Sequence, residues 1–158
     1  MDIQAIYERQ YARVYRIGML YMKNASDAED VVQSVFMKYI ERPEQFRDME
    51  HEKAWFITVA RNRCKDMLKS FWRNRVELGE FPECTSNEAE GLDLLPYIFQ
   101  LAPKYREVLY LYYYEGYSTE DMAKVLKRNS STIRTQMTNA RNKLKKILEQ
   151  EGVGGYGR

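Results

Sequence analysis

The stretch VELGEFPECTSNEAEGLDLLP, residues 76–96, sets the limits within which this chain can fold. It gathers Gly79, Pro82, Thr85, Ser86, Asn87, Gly91 and Pro96 after one long helical pattern and before another, and such punctuation marks a linker rather than an element. A chain of 158 residues broken there must build two small cores in place of one. On both sides apolar residues recur at helical spacing, there are only four prolines, and no run of alternating β-branched residues marks a strand. The expected fold is all-α: two small helical domains, residues 1–75 and 95–150, joined by a linker over 76–94 and followed by a Gly-rich tail, 151–158.

Several classes of function drop out early. No apolar run reaches the about 20 residues of a membrane span, and the opening MDIQAIYERQYARVYRIG lacks the uninterrupted apolar core of a secretory signal, so a cytoplasmic protein without membrane insertion is expected. Cys64 and Cys84 have neither CxxC spacing nor histidines beside them, which speaks against structural zinc and gives a disulfide no support. His51, the one histidine, stands without a nucleophile and carboxylate to form a catalytic set, and no phosphate-binding, metalloprotease, nucleophile-elbow or dinucleotide motif occurs. The expectation is no enzyme, no metal and no cofactor.

The net charge of +2 conceals a segregation. Asp27 to Glu52 holds eight acids and three bases; Trp55 to Arg75 holds six bases and one acid; Phe81 to Gln100 has four acids and no base; Ala123 to Lys146 has eight bases and no acid. Alternating blocks of this kind suit a protein whose faces meet protein in some places and a polyanion in others, while for any one block a solvated helix face explains the charge equally well.

In DAEDVVQSVFMKYIE, Ala28, Val31, Val32, Val35, Phe36, Tyr39 and Ile40 form an apolar stripe on one helical face. Asp30, Gln33, Met37 and Glu41 lie opposite, and a Met among polar residues is a plausible contact for a partner helix or an ordinary surface residue. ERPEQFRDMEHEKAW reads as a loop opened by Pro43 and containing Phe46 and His51. The helix after it, WFITVARNRCKDMLKSFWRNR, turns Phe56, Val59, Ala60, Cys64, Met67, Leu68 and Phe71 inward and Thr58, Arg61, Asn62, Lys65 and Lys69 outward. Trp55 and Trp72 flank that basic, amide-bearing face. Cations that neutralise phosphates and aromatics that stack on bases would suit unpaired nucleic acid, although core packing is the commoner use of such tryptophans.

The second half reads as a sequence of caps. Pro103 suits a first helical turn and Gly116 a helix end; Ser118 with Asp121 resembles a capping box, opening a short helix over Thr119 to Leu126. After a turn at Lys127 to Ser130, a further helix carries Ile133, Met137, Ala140, Leu144 and Leu148 inward and Arg134, Thr135, Thr138, Arg141 and Lys145 outward. Two helices joined by a short turn, the second polar and basic near its start, form a helix-turn-helix able to enter a major groove.

The order of DAEDVVQSVFMKYIE, AWFITVARNRCKDML, a linker and LAPKYREVLYLYYYEGYSTEDMAKVLKRNSSTIRTQMTNARNKLKKIL resembles the extracytoplasmic-function (ECF) sigma factors, the two-domain group of the sigma-70 family, from about Ile3 to Leu148. The resemblance implies an RNA polymerase specificity subunit that directs promoter-specific initiation. Residues 1–75 would be its region 2 and 95–150 its region 4, with core RNA polymerase, promoter DNA and an anti-sigma factor as partners. It implies core-polymerase contacts at Asp30, Gln33 and Met37. It implies −10 element contacts at Phe46, Trp55, Arg61, Asn62 and Lys65, the loop matching Phe46 to Lys53 and the helix after it capturing a flipped base. It implies −35 element contacts at Ser131, Thr132, Arg134, Thr135, Thr138 and Arg141. One departure stands out: where the family turn commonly has Gly and then an apolar residue, Lys127 and Arg128 follow Leu126. Arg128 would then point to phosphate, or cover the core with its stem while its guanidinium stays wet. Two other readings of the residues stand beside this one: a helix-turn-helix regulator that acts without polymerase, and an interaction protein whose charged helices bind only protein.

Overall fold

The computed structural model describes residues 2–74 and 94–152, with side chains up to residue 70 in the first stretch. The linker expected over 76–94 lies, Leu94 apart, outside the described residues, as do Cys84, residues 153–158 of the tail and the side chains of Phe71 and Trp72. The described residues form seven helices and no strand, in two compact units. The all-α expectation holds.

The first unit packs α1 (Ile3–Met22), α2 (Ala25–Glu41) and α3 (Met49–Asn74) against one another. Each helix starts on a side-chain oxygen that replaces a missing helical acceptor. Asp2 accepts from the backbone N–H groups of Gln4 and Ala5, and Asn24 accepts from that of Asp27 at 2.8 Å. Asp48 Oδ1 accepts from the His51 N–H at 2.8 Å. This last cap corrects an expectation: the segment Phe46 to Lys53 is not a loop throughout, because Asp48 opens α3 five residues before Lys53 and places His51 in its first turn.

The core consists of Val14, Ile17, Ala28, Val31, Val35, Tyr39, Phe56, Ile57, Ala60 and Cys64, all nearly fully buried. Ile40 departs from its expected stripe and is 54% exposed. A helix advances about 100° per residue, so Ile40 is turned that far from the buried Tyr39 and falls on the rim. Phe36 stays covered because the ring of Tyr7 lies 4.8 Å away on α1. On α3, Ile57 is buried where Val59 was expected, and Val59, Met67 and Leu68 are half-buried, so the stripe is rotated toward Ile57. Gly18 marks the closest helix crossing: a Cβ there would sit 2.9 Å from the Ala28 Cα, so only glycine lets α1 approach α2 this closely.

The second unit holds α4 (Leu95–Ile98), α5 (Pro103–Glu115), α6 (Thr119–Leu126) and α7 (Ser130–Gln150). Pro103, Gly116 and Ser118 act where the sequence puts them, and Asn129 adds a cap within the expected turn at Lys127 to Ser130. Pro103 starts α5, Gly116 ends it in the left-handed region at φ 70°, and Ser118 and Asn129 accept from the N–H groups of Asp121 and Thr132. Ile133, Met137, Ala140, Leu144 and Leu148 are all buried, against Ile98, Val108, Leu109 and Met122. α6 and α7 are the two helices of the helix-turn-helix, and α5 packs on both.

Candidate nucleic-acid interface

In the first unit an ionic network fixes where α3 begins. Arg9 on α1 donates from Nε and Nη2 to the two carboxylate oxygens of Glu52 at 2.9 and 2.7 Å, and Gln10 Nε2 donates to Glu52 Oε1 at 2.8 Å. The hydrogen bonds from Arg9 hold the Glu52 carboxyl below its ordinary value of 4.5, outweighing the upward push of burial. Glu52 itself is buried while the Arg9 side chain is 39% exposed.

That anchored helix start carries an aromatic cluster. Trp55 is half-buried and meets Phe56 at 4.8 Å, Tyr39 at 5.7 Å and Phe46 at 5.9 Å between ring centroids. His51 meets Phe46 edge-on at 5.3 Å, and its Nδ1 accepts from the Arg47 N–H at 3.0 Å, pinning the chain next to Phe46. Phe46, before α3, and Trp55, within it, are therefore brought together, each with part of its ring open. Packing and stacking are both satisfied by such a placement. Tyr39 and His51, which hold these rings, are not among the site residues expected from sequence; Tyr39 reads there as part of the apolar stripe of α2 and His51 as a loop residue near Phe46.

Beyond the cluster, Asn62 and Lys65 are exposed on α3 and Arg61 is half-buried. Cys64, on the buried side, has its thiol pushed up to about 12 by burial, which keeps it protonated and unreactive. On α2, Asp30, Gln33 and Met37 are all exposed, Met37 at 53%.

In the second unit the expected residues are all exposed: Ser131, Thr132, Arg134, Thr135, Thr138 and Arg141, on α7. The turn before it answers the departure at Lys127 and Arg128. Lys127 adopts the left-handed conformation at φ 57° that glycine would favour, so the turn keeps its shape without the glycine. Arg128 neither reaches out for phosphate nor leaves its guanidinium in water: Nη2 donates to Glu107 Oε1 on α5 at 2.5 Å and Nη1 to Gln136 Oε1 on α7 at 2.9 Å. With Glu107 buried, the polar end of Arg128 ties three elements together at the turn where the family commonly has an apolar residue. Glu107 and Gln136 could not be paired with it from sequence, being 21 and 8 residues away.

Comparison with known proteins then decides the family. The sigma-70 region 2 family model matches residues 6–74 and the sigma-70 region 4 model residues 97–144. The ECF RNA polymerase sigma factor SigL of Mycobacterium tuberculosis is 30% identical over 96% of this chain and 91% of its own length. The chain belongs to the ECF sigma factors. It is also similar to the RNA polymerase sigma factor SigV of Bacillus subtilis, at 28% identity over 88% of this chain and 86% of that protein. Among solved structures, the sigma factor RpoE of Bartonella quintana, crystallised with the anti-sigma factor NepR, aligns over 92% of this chain and 96% of that one with a TM-score of 0.74 and 22% identity, a likeness of fold. No described helix of this ECF sigma factor is long and apolar enough to cross a membrane, and no cluster of His, Cys, Asp and Glu among the described residues is placed to hold a metal ion.

Proposed function

We propose that this ECF sigma factor is a dissociable specificity subunit that acts in the cytoplasm, binding core RNA polymerase and directing it to promoters through their −10 and −35 elements, while polymerase performs the chemistry. The observation that carries this reading is the match of both halves of one chain, 6–74 and 97–144, to the two sigma regions in order. The first of these matches disfavours a regulator that works without polymerase, since such a protein has no use for region 2.

In this reading residues 1–75 and 95–150 are the working domains and 76–94 the linker. Asp30, Gln33 and Met37 meet core polymerase: an exposed Met beside an acid and an amide offers an adaptable apolar contact with polar bonds that fix its register. Phe46 and Trp55 present ring surface to a flipped base, the stacking offsetting the few kcal/mol that unstacking costs, while Arg61, Asn62 and Lys65 take the backbone beside it. α7 enters the major groove at the −35 element with Arg134, Thr135 and Thr138 toward base edges and Ser131, Thr132 and Arg141 toward phosphates. An anti-sigma factor is the expected inhibitor, as in the RpoE–NepR complex, and would act by covering these surfaces.

Run-off transcription tests the proposal. Core polymerase with this protein should start transcripts at a matched promoter that core alone does not use. Tight operator binding by the free protein with no stimulation of core on any candidate promoter would overturn it.

A further inference from the structure

The tyrosine run YLYYYEGY, residues 110–117, divides between core and surface. Tyr110 is buried, stacks on Tyr114 at 5.6 Å and donates its O–H to Glu115 at 2.5 Å, which accounts for half of the run as packing. Tyr112 and Tyr113 instead stand outward at 41% and 39% exposure, edge to face at 5.0 Å. What distinguishes Tyr112 is its neighbour on another helix. The guanidinium carbon of Arg141 lies over its ring, 4.8 Å from the centroid.

Arg141 shares the outward row of α7 with Arg134 and Thr138, two turns and one turn toward the N-terminus. Among the described residues the Tyr112 ring is the one group that engages its guanidinium. A guanidinium over an aromatic face spends that face on the ring and keeps its in-plane N–H donors for an acceptor at the edge. An arginine otherwise loses much side-chain freedom when it clamps a phosphate, and a ring that already holds it lowers that loss. We propose that Tyr112 is a positioning residue for DNA binding: from α5 it holds the Arg141 guanidinium at the border of the recognition row, with its donors directed to a backbone phosphodiester. The inference deepens, and rests on, the −35 reading of α7.

The test is promoter binding by the full chain with core polymerase, measured across a salt series. Arg141→Ala should reduce the magnitude of the log–log salt slope by about 0.9, the value of one phosphate contact. Tyr112→Leu should weaken binding about 2- to 5-fold, as expected for an exposed cation–π contact, and reduce the slope in the same direction. Tyr112→Phe, which keeps the ring, should restore both affinity and slope. In the Arg141→Ala background Tyr112→Leu should have no further effect. Equal weakening by Tyr112→Leu with and without Arg141, or no change in affinity and slope when the ring is removed, would overturn the positioning role. Arg134→Ala separates that failure from a failure of the site: if it and Arg141→Ala both leave affinity intact, the −35 reading is wrong and the role of Tyr112 falls with it.

Discussion

The two units place their candidate DNA contacts in opposite ways. In the first, Phe46 and Trp55 are half-buried members of a cluster that also includes Tyr39, Phe56 and His51. In the second, the row from Ser131 to Arg141 stands clear of a core that is complete without it. On the proposed reading the first surface receives an extruded base and needs rings held in a fixed relation, so recognition and packing are fused there. A helix that only lies in a groove can separate them. Binding and stability should therefore be coupled in the first unit and separable in the second.

The largest effect should come from Tyr39→Ala, which removes a ring of the cluster that is only 1% exposed: a loss of about 3–5 kcal/mol in denaturant unfolding, with promoter opening lost in parallel. Next, Arg128→Ala should lower stability by about 1–3 kcal/mol by removing the bonds to Glu107 and Gln136, and DNA affinity of the folded fraction should change little. Affinity lost without stability would break the comparison, because Arg128 would then be a contact.

Acid sharpens it further. The Glu52 pKa is lower folded than unfolded, so the Arg9–Glu52 pair contributes stability above the ordinary carboxylate value of 4.5 and loses it as pH falls through the depressed folded value. Half-exposed Arg9 keeps the effect modest. Unfolding followed against pH should show the first unit losing stability in that acid window, and Glu52→Gln should flatten this dependence. The smallest effect on the fold is expected from Arg134→Ala, within about 0.5 kcal/mol in thermal unfolding, although −35 binding should fall by about 1–3 kcal/mol.

What could be read from sequence differs between the units for a physical reason. In the second, Ser118, Asn129, Pro103 and Gly116 are local signals acting within four residues, and every helix boundary they suggest is present. The apolar row of α7 repeats at regular spacing, so its outward face was legible too. In the first unit, the start of α3 was hidden because its N-terminal turn, MEHE, is polar and its cap pairs Asp48 with His51 rather than with a glutamate. Gly18 gave no sign of its close contact with Ala28, and the partners of Arg128 and Arg141 lie on other helices. Contacts made across tertiary distance leave no period in a sequence.

Lys127 has a consequence for how this protein can change. It occupies the left-handed region with a side chain attached, a conformation that costs an L-residue about 1–2 kcal/mol relative to the right-handed one. The recognition module thus holds unused evolutionary headroom: Lys127→Gly would relax a backbone conformation the fold already imposes. That latent gain could offset a destabilising change on the outward row of α7, letting new promoter preferences arise there without loss of the fold.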